Sequence, residues 1–196
     1  MRKIVVGTFL TLDGVMQAPG DPQEDTAGGF KQGGWQMPYF DEDAGKIMDQ
    51  QIAETDALLL GRITYQIFAA YWPFAPADDP FAKKLNSVPK YVVSTTLDNV
   101  EWNNSTLIKS NVAEEIAKLK QQPGSGILSV TGSGKLAQTL MRQDLVDEYI
   151  LWIHPLVLGN GKRLFEGGVI PANLKLVDTK TTRSGVLILT YQPDKK

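Results

Sequence analysis

Three segments of the chain share one layout: a short apolar run, then glycine or hydroxyl residues, then a stretch with helical spacing. They are Leu60-Gly61-Arg62-Ile63-Thr64, Val93-Ser94-Thr95-Thr96 and Val130-Thr131-Gly132-Ser133-Gly134-Lys135-Leu136. In parallel α/β sheets, ligands collect where such strands end. The first N–H groups of a helix have no partner inside it, and its dipole favours an anion there. Glycine lets a phosphate approach the main chain closely. Two such helix starts with a Ser/Thr cluster suit the phosphates of a dinucleotide. Arg62 and Lys109 suit charge-assisted bonds to a further phosphate on its ribose.

Two better-known phosphate loops are not matched. Gly134-Lys135 mimics a nucleoside-triphosphatase loop, but position 129 is Ser129 and Lys135 is followed by Leu136, so the hydroxyl that would hold magnesium is missing. Gly132-Ser133-Gly134 lacks the third glycine of the G-x-G-x-x-G fingerprint.

The elements that must position these turns can be read in order. Ile4 to Leu10 reads as a buried first strand, ended by the turn Thr11-Leu12-Asp13-Gly14. A Gly/Pro-rich stretch from Pro19 to Pro38 has no period, and its length marks a lid or binding loop. Asp41 to Thr55 has one apolar helical face, with acids in its first turn. Ala57 to Leu60, Lys90 to Ser94, Thr106 to Ile108 and Ile127 to Val130 read as strands. Thr64 to Tyr71, Phe81 to Asn86, a segment capped by Ser110 or Asn111, and the residues after Gly134 read as helices. Glu148 to Leu158 is a long strand interrupted by Pro155, and Leu174 to Thr182 with Val186 to Tyr191 makes a terminal hairpin. Alternating strands and helices predict an α/β fold: a mixed, mostly parallel central sheet with flanking helices and a C-terminal antiparallel hairpin.

Composition narrows the chemistry. The 196 residues suit one compact domain spanning residues 1–196, with 42% hydrophobic and 21% charged residues. Net charge is −2 with dispersed Lys and Arg, which argues against nucleic acid as a partner. There is no cysteine and one histidine, His154, so disulfides, thiolate catalysis and Cys-rich metal sites are excluded, and no metal is expected. The apolar run near Met1 is too short for a secretory signal or a membrane span, and a cytoplasmic protein is expected. The edge offered by the terminal hairpin predicts a homodimer.

Taken jointly the motifs carry a family resemblance. Gly61-Arg62-Ile63-Thr64-Tyr65 resembles the G-R-x-T segment of dihydrofolate reductases. Val92-Val93-Ser94-Thr95, Thr106-Leu107-Ile108-Lys109-Ser110 and Ser129-Val130-Thr131-Gly132-Ser133-Gly134-Lys135-Leu136 resemble their later strand ends, in the same order, from Lys3 to Gln192. A nearer similarity is to the reductase domain of the bifunctional deaminase-reductase of riboflavin synthesis and its stand-alone relatives. Thr11-Leu12-Asp13-Gly14 matches their S-x-D-G with Thr for Ser, and Pro155 to Phe165 matches their P-x-x-x-G-x-G-x-x-L-F turn.

The resemblance implies a dihydrofolate-reductase-like fold and NADPH as cofactor. Gly61, Arg62 and Thr64 would hold phosphate. Ser94, Thr95 and Lys109 would surround the 2′-phosphate and adenosine. Thr131, Gly132, Ser133, Gly134, Lys135 and Leu136 would bind the pyrophosphate, and Leu12 and Gly14 would line the nicotinamide. It also implies reduction of a small heterocycle, as in 5-amino-6-(5-phosphoribosylamino)uracil reductase. The alternatives are reduction of a dihydropterin and a non-catalytic nucleotide-binding protein on the same scaffold.

The protein must also supply a proton. Asp13, beside the expected nicotinamide, is the candidate donor, although Asp-Gly is a favoured turn pair in its own right. Phe30, Trp35 and Tyr39 are candidates to stack on a planar substrate, with core packing as the alternative. Asp41 is a candidate substrate carboxylate, although a helix start favours acids anyway. His154 reads as a half-buried strand histidine with general-acid chemistry as the alternative. Lys162 and Arg163 are cations that a phosphorylated substrate could meet.

Overall fold

The computed structural model describes residues 1–166 and 171–194. The strands are β1 (Lys3–Thr11), β2 (Thr55–Gly61), β3 (Lys90–Val93), β4 (Ser105–Ile108), β5 (Ile127–Thr131), β6 (Glu148–His154), β7 (Leu174–Thr181) and β8 (Leu187–Pro193). They form one sheet in the order β4-β3-β2-β5-β1-β6-β8-β7. β1 to β6 pair in parallel, while β8 runs antiparallel to β6 and β7 antiparallel to β8. The mixed sheet and terminal hairpin expected from the alternation are therefore present. Parallel pairing has one consequence for function: the turns after Thr11, Gly61, Val93, Ile108, Thr131 and His154 all leave at the same rim.

The helices are α1 (Glu42–Ala53), α2 (Arg62–Tyr71), α3 (Pro80–Ser87), α4 (Val112–Gln121) and α5 (Gly134–Arg142). None among the described residues is long and apolar enough to cross a membrane. Local chemistry sets several boundaries. Asp41 caps α1 by accepting from Ala44 N at 2.9 Å, and Asp79 caps α3 from Phe81 N and Ala82 N. The long strand expected over Glu148–Leu158 stops at His154, because Pro155 has no N–H to donate to a ladder. Asn111 precedes α4 in a left-handed conformation (φ 51°) and makes no side-chain cap.

The two faces of the sheet differ. On one, Ile4, Val6, Leu59, Leu128, Val130 and Tyr149 join Ile116 and Leu119 of α4 and Leu136 and Leu140 of α5 in a continuous core. On the other, the core is in two pieces. Leu58, Leu60 and Val92 pack with Tyr65 and Leu85 from α2 and α3, whereas Trp152, Val186 and Ile188 pack with Ala44 of α1.

The stretch from Pro19 to Pro38 is packed rather than open. Phe30 and Trp35 are buried against Val15 and Ala18, and Trp35 Nε1 donates to Gln17 O at 2.7 Å. Gly161, at φ 125°, passes so close beneath this loop that an added Cβ would lie 2.6 Å from Val15 Cγ1.

Candidate active site

The strip between the two half-cores lies on the central strands β1 and β5. In the parallel register Gly7 pairs with Thr131, and Ser129 with Val5 and Leu58. Paired residues of neighbouring parallel strands share a face, so Gly7, Ser129 and Thr131 lie together, with Ser129 Oγ and Thr131 Oγ1 3.5 Å apart. A Cβ built on Gly7 meets no atom within 4 Å. Interior strands of a parallel sheet are normally apolar and covered on both faces. Here three neighbouring positions are half-exposed and carry hydroxyls or no side chain, so the sheet has a cleft between the α1 half-core and the α2–α3 half-core.

The cleft opens at the rim onto the turns singled out from sequence. Gly61 N donates to Ser133 Oγ at 3.0 Å, and Ser133 N donates to Thr64 Oγ1 at 3.2 Å. The start of α2 and the start of α5 are thereby tied to each other. Neither has a side-chain cap, in contrast to α1 and α3. The N–H groups of their first turns are thus available to an anion, and two dipoles converge on one place. The turn leading into α5 has Gly132 at φ 55° and Ser133 at φ 49°, and its peptide bonds are trans. Met16 closes the gap to the β1 turn: its Sδ stands 2.9 Å from where a Cβ of Gly134 would be. Leu12 and Gly14 sit on that turn, with Leu12 largely exposed.

Next along the rim, Gly61 pairs with Val93 and Val93 with Ile108, and Ser94 N donates to Ile108 O. This puts Ser94, Thr95 and Lys109 beside the α2 start. The Ser94 hydroxyl differs from expectation, because it accepts from Thr96 N and Leu97 N and shapes its own turn. Arg62 is exposed and, among the described residues, its side chain bonds Gln66 Oε1 alone, and Lys109 meets the fully exposed Asp98 at 3.6 Å. Exposed pairs of this kind are weak and yield readily to an incoming anion. Lys135 is exposed, whereas the Leu136 side chain is buried, leaving its main chain for a ligand.

Four other expectations need correction. Asp13 is not placed as a proton donor. Thr11 Oγ1 and Leu158 N donate to its Oδ1, and Gly159 N donates to Oδ2 at 2.8 Å, with Arg163 Nη2 3.5 Å away. The Thr11 hydroxyl, with the two N–H groups adding to it, outweighs partial burial and holds the carboxyl down at about 2, so it stays ionised. Phe30 and Trp35 are core of the loop, not faces for a ligand, since loop aromatics must bury their area somewhere and Val15 and Ala18 are nearest. Tyr39 is half-buried with its ring edge-on to His154 at 5.8 Å. Asp41 has both oxygens engaged, one by Ala44 N and the other by Ser184 N at 2.8 Å, which joins the α1 start to the hairpin turn. The Ala44 N–H, helped by Ser184, lowers its pKa.

His154 is fully rather than half-buried, ringed by Phe9, Trp35 and Tyr39 with Nδ1 facing Leu10 O and Trp152 O. Burial lowers its pKa, so it is a neutral packing group. Lys162 is paired with Asp25, and Arg163 donates to Asp13 O and Gly159 O. No group of three or more His, Cys, Asp or Glu side chains able to hold a metal occurs among the described residues. Gly7 and Ser129 are the site residues that sequence reasoning missed. Their only signal was a glycine and a serine at interior positions of otherwise apolar strands.

Comparison with known proteins identifies the family and the fold. Residues 2–188 match the family described as the RibD C-terminal domain. The chain belongs to that family. It is 33% identical to the uncharacterised Bacillus subtilis protein YyaP over 195 residues, which cover 97% of this chain and 94% of YyaP. It is 31% identical to Bacillus subtilis YwjB, also uncharacterised, over 64% of this chain and 67% of YwjB. Among solved structures, a Shewanella sp. PV-4 protein named for riboflavin biosynthesis superposes with a TM-score of 0.70 at 20% identity, covering 98% of this chain and 99% of that one. Enterococcus faecalis dihydrofolate reductase, solved with NADP(H), superposes with a TM-score of 0.62 at 15% identity, over 98% and 97% of the two chains. The fold of this RibD C-terminal domain family member is thus dihydrofolate-reductase-like and of reductase type.

Proposed function

We propose that this RibD-type chain is an NADPH-dependent reductase whose acceptor is a small planar heterocycle of pyrimidine or pterin type. One observation carries the reading: the uncapped starts of α2 and α5 are hydrogen-bonded to each other through Gly61, Thr64 and Ser133, at the mouth of a cleft in the sheet. Paired helix starts suit a pyrophosphate. Arg62 and Lys109 flank them as cations for the 2′-phosphate, and Leu12 and Gly14, on the turn after β1 at the same rim, would line the nicotinamide. The NADP(H) complex of the Enterococcus dihydrofolate reductase supports this choice of coenzyme.

When bound, the coenzyme would supply a hydride that, with one proton, would reduce a C=N or C=O bond of the acceptor and leave NADP⁺. The chain's own part is to hold both molecules against one strip of sheet. With Asp13 ionised and His154 neutral and enclosed, the proton comes from water in the open cleft.

Titrating the protein with NADPH and NADH while following tryptophan quenching tests the reading. NADPH binds about tenfold tighter or better, and the preference is lost in Arg62→Ala, as expected for one charge-assisted phosphate contact. Equal affinity for the two coenzymes, or a preference that survives Arg62→Ala, sinks the phosphate assignment.

A further inference from the structure

We infer that Ser129 and Thr131 select the acceptor, their hydroxyls hydrogen-bonding the polar edge of an uncharged planar heterocycle that carries no phosphate. The inference rests on the reductase reading above and narrows its substrate class.

Both hydroxyls are under-used. Among the described residues, the one side-chain hydrogen-bond contact of either hydroxyl is their mutual approach at 3.5 Å, which is at the limit of a bond. Both positions are half-exposed, on a central strand of a kind that is normally apolar and covered on both faces. On the opposite face of the same strand the chain places Leu128 and Val130, both fully buried. The polarity is therefore confined to the cleft floor. A pair of hydroxyls, each able to donate and to accept, fits a ring edge with alternating donors and acceptors. Gly7, next to Thr131 in register, adds a flat patch of main chain with open space above it, against which a ring can lie.

The charges around the rim complete the argument. The exposed cations Arg62, Lys109 and Lys135 follow β2, β4 and β5, on the coenzyme side. At the β1–β6 end, Lys162 is spent on Asp25 and Arg163 on Asp13 and Gly159 O, while Asp13 itself is anionic. Lys31 is exposed beside Gln32, whose amide reaches Leu158 O, and among the described residues it makes no ion pair. A phosphorylated acceptor would have to recruit Lys31 or break the Asp13–Arg163 contact.

The test uses the NADP⁺-saturated protein and two ligands, each titrated at low and high salt. Lumazine is a neutral bicyclic heterocycle with a donor–acceptor edge, and uridine 5′-monophosphate joins a similar edge to a phosphate. Lumazine binds. Ser129→Ala weakens it about tenfold while NADP⁺ affinity stays unchanged, and Ser129→Thr, which keeps the hydroxyl, retains it. Uridine 5′-monophosphate binds no tighter than lumazine, without salt dependence. The inference is overturned by any one of these results: no lumazine binding, lumazine binding indifferent to Ser129→Ala, or tighter uridine 5′-monophosphate binding that falls with salt or in Lys31→Ala. Failure of NADP⁺ itself to bind would instead overturn the reductase reading, so the two failures are told apart.

Discussion

Replacing Asp13 by Asn asks whether this carboxylate is an acid in a reaction or a brace between the turn after β1 and residues 158–159. Its two oxygens accept from Thr11 Oγ1, Leu158 N and Gly159 N, the last two reaching it across 145 and 146 residues of chain. An amide can present only one accepting oxygen, so one of the two N–H groups loses its partner. Losing a hydrogen bond to a charged acceptor costs about 1.5–3 kcal/mol. The depressed pKa, caused by the same hydrogen bonds, can be put on the same scale. A fall from 3.8 to about 2 corresponds to about 2.4 kcal/mol, and because the side chain is 21% exposed, screening reduces this to about 1.5–2 kcal/mol. The expected loss is about 2 kcal/mol, or roughly 4–8 °C in Tm for a chain of this size.

The pH dependence has a definite sign. Because the folded-state pKa lies below the unfolded one, the stabilisation is complete above about pH 4 and is lost as pH falls toward 2. Urea denaturation of wild type and Asp13→Asn between pH 7 and pH 2 should therefore show a gap of about 2 kcal/mol that closes across that acidic window. A gap below about 0.5 kcal/mol at pH 7, or one that persists at pH 2, refutes the brace. So does a variant with wild-type stability and coenzyme affinity that has lost only turnover, the signature of a proton donor.

Two further outcomes follow from the packing. Lys90 is fully buried, with Nζ donating to Asn86 O and Asn103 O and standing 4.3 Å from the Trp102 ring centre, and burial lowers its pKa to about 8. The unfolded chain keeps this proton up to about pH 10.5, so wild-type stability relative to Lys90→Met should rise by up to about 2–3 kcal/mol between pH 8 and 10.5, and a flat difference in chemical denaturation would contradict this. Gly161→Ala combines a φ of 125° with a Cβ 2.6 Å from Val15 Cγ1 and 3.0 Å from Phe30 Cε2. It should cost about 3 kcal/mol and lower Tm by roughly 10 °C, and a thermal melt within about 2 °C of wild type would show the Phe30 loop to be softer than its packing implies.

Much of the architecture is written locally. The apolar runs that end at Gly61, Val93 and Thr131, and the helices that follow two of them, depend on residues a few positions apart. Periodicity and capping chemistry locate such elements without reference to the rest of the chain. Parallel pairing, implied by the alternation, then sends their ends to one rim, which is why Gly61, Thr64 and the Gly132–Gly134 turn could be grouped before any coordinates.

What only the tertiary structure decided is what each side chain meets at long range. Asp13 was an acid beside a turn until Leu158 N and Gly159 N arrived to claim its oxygens. Phe30 and Trp35 were aromatics on a loop of unknown cover until Val15 and Ala18 buried them. Gly7 and Ser129 carried no local pattern, because a cleft is a property of register: it exists only where β1 and β5 lie side by side with glycine and hydroxyls on the same face. Residue type and spacing fix which chemistry is on offer, whereas the pairing of distant strands fixes which groups remain unspent.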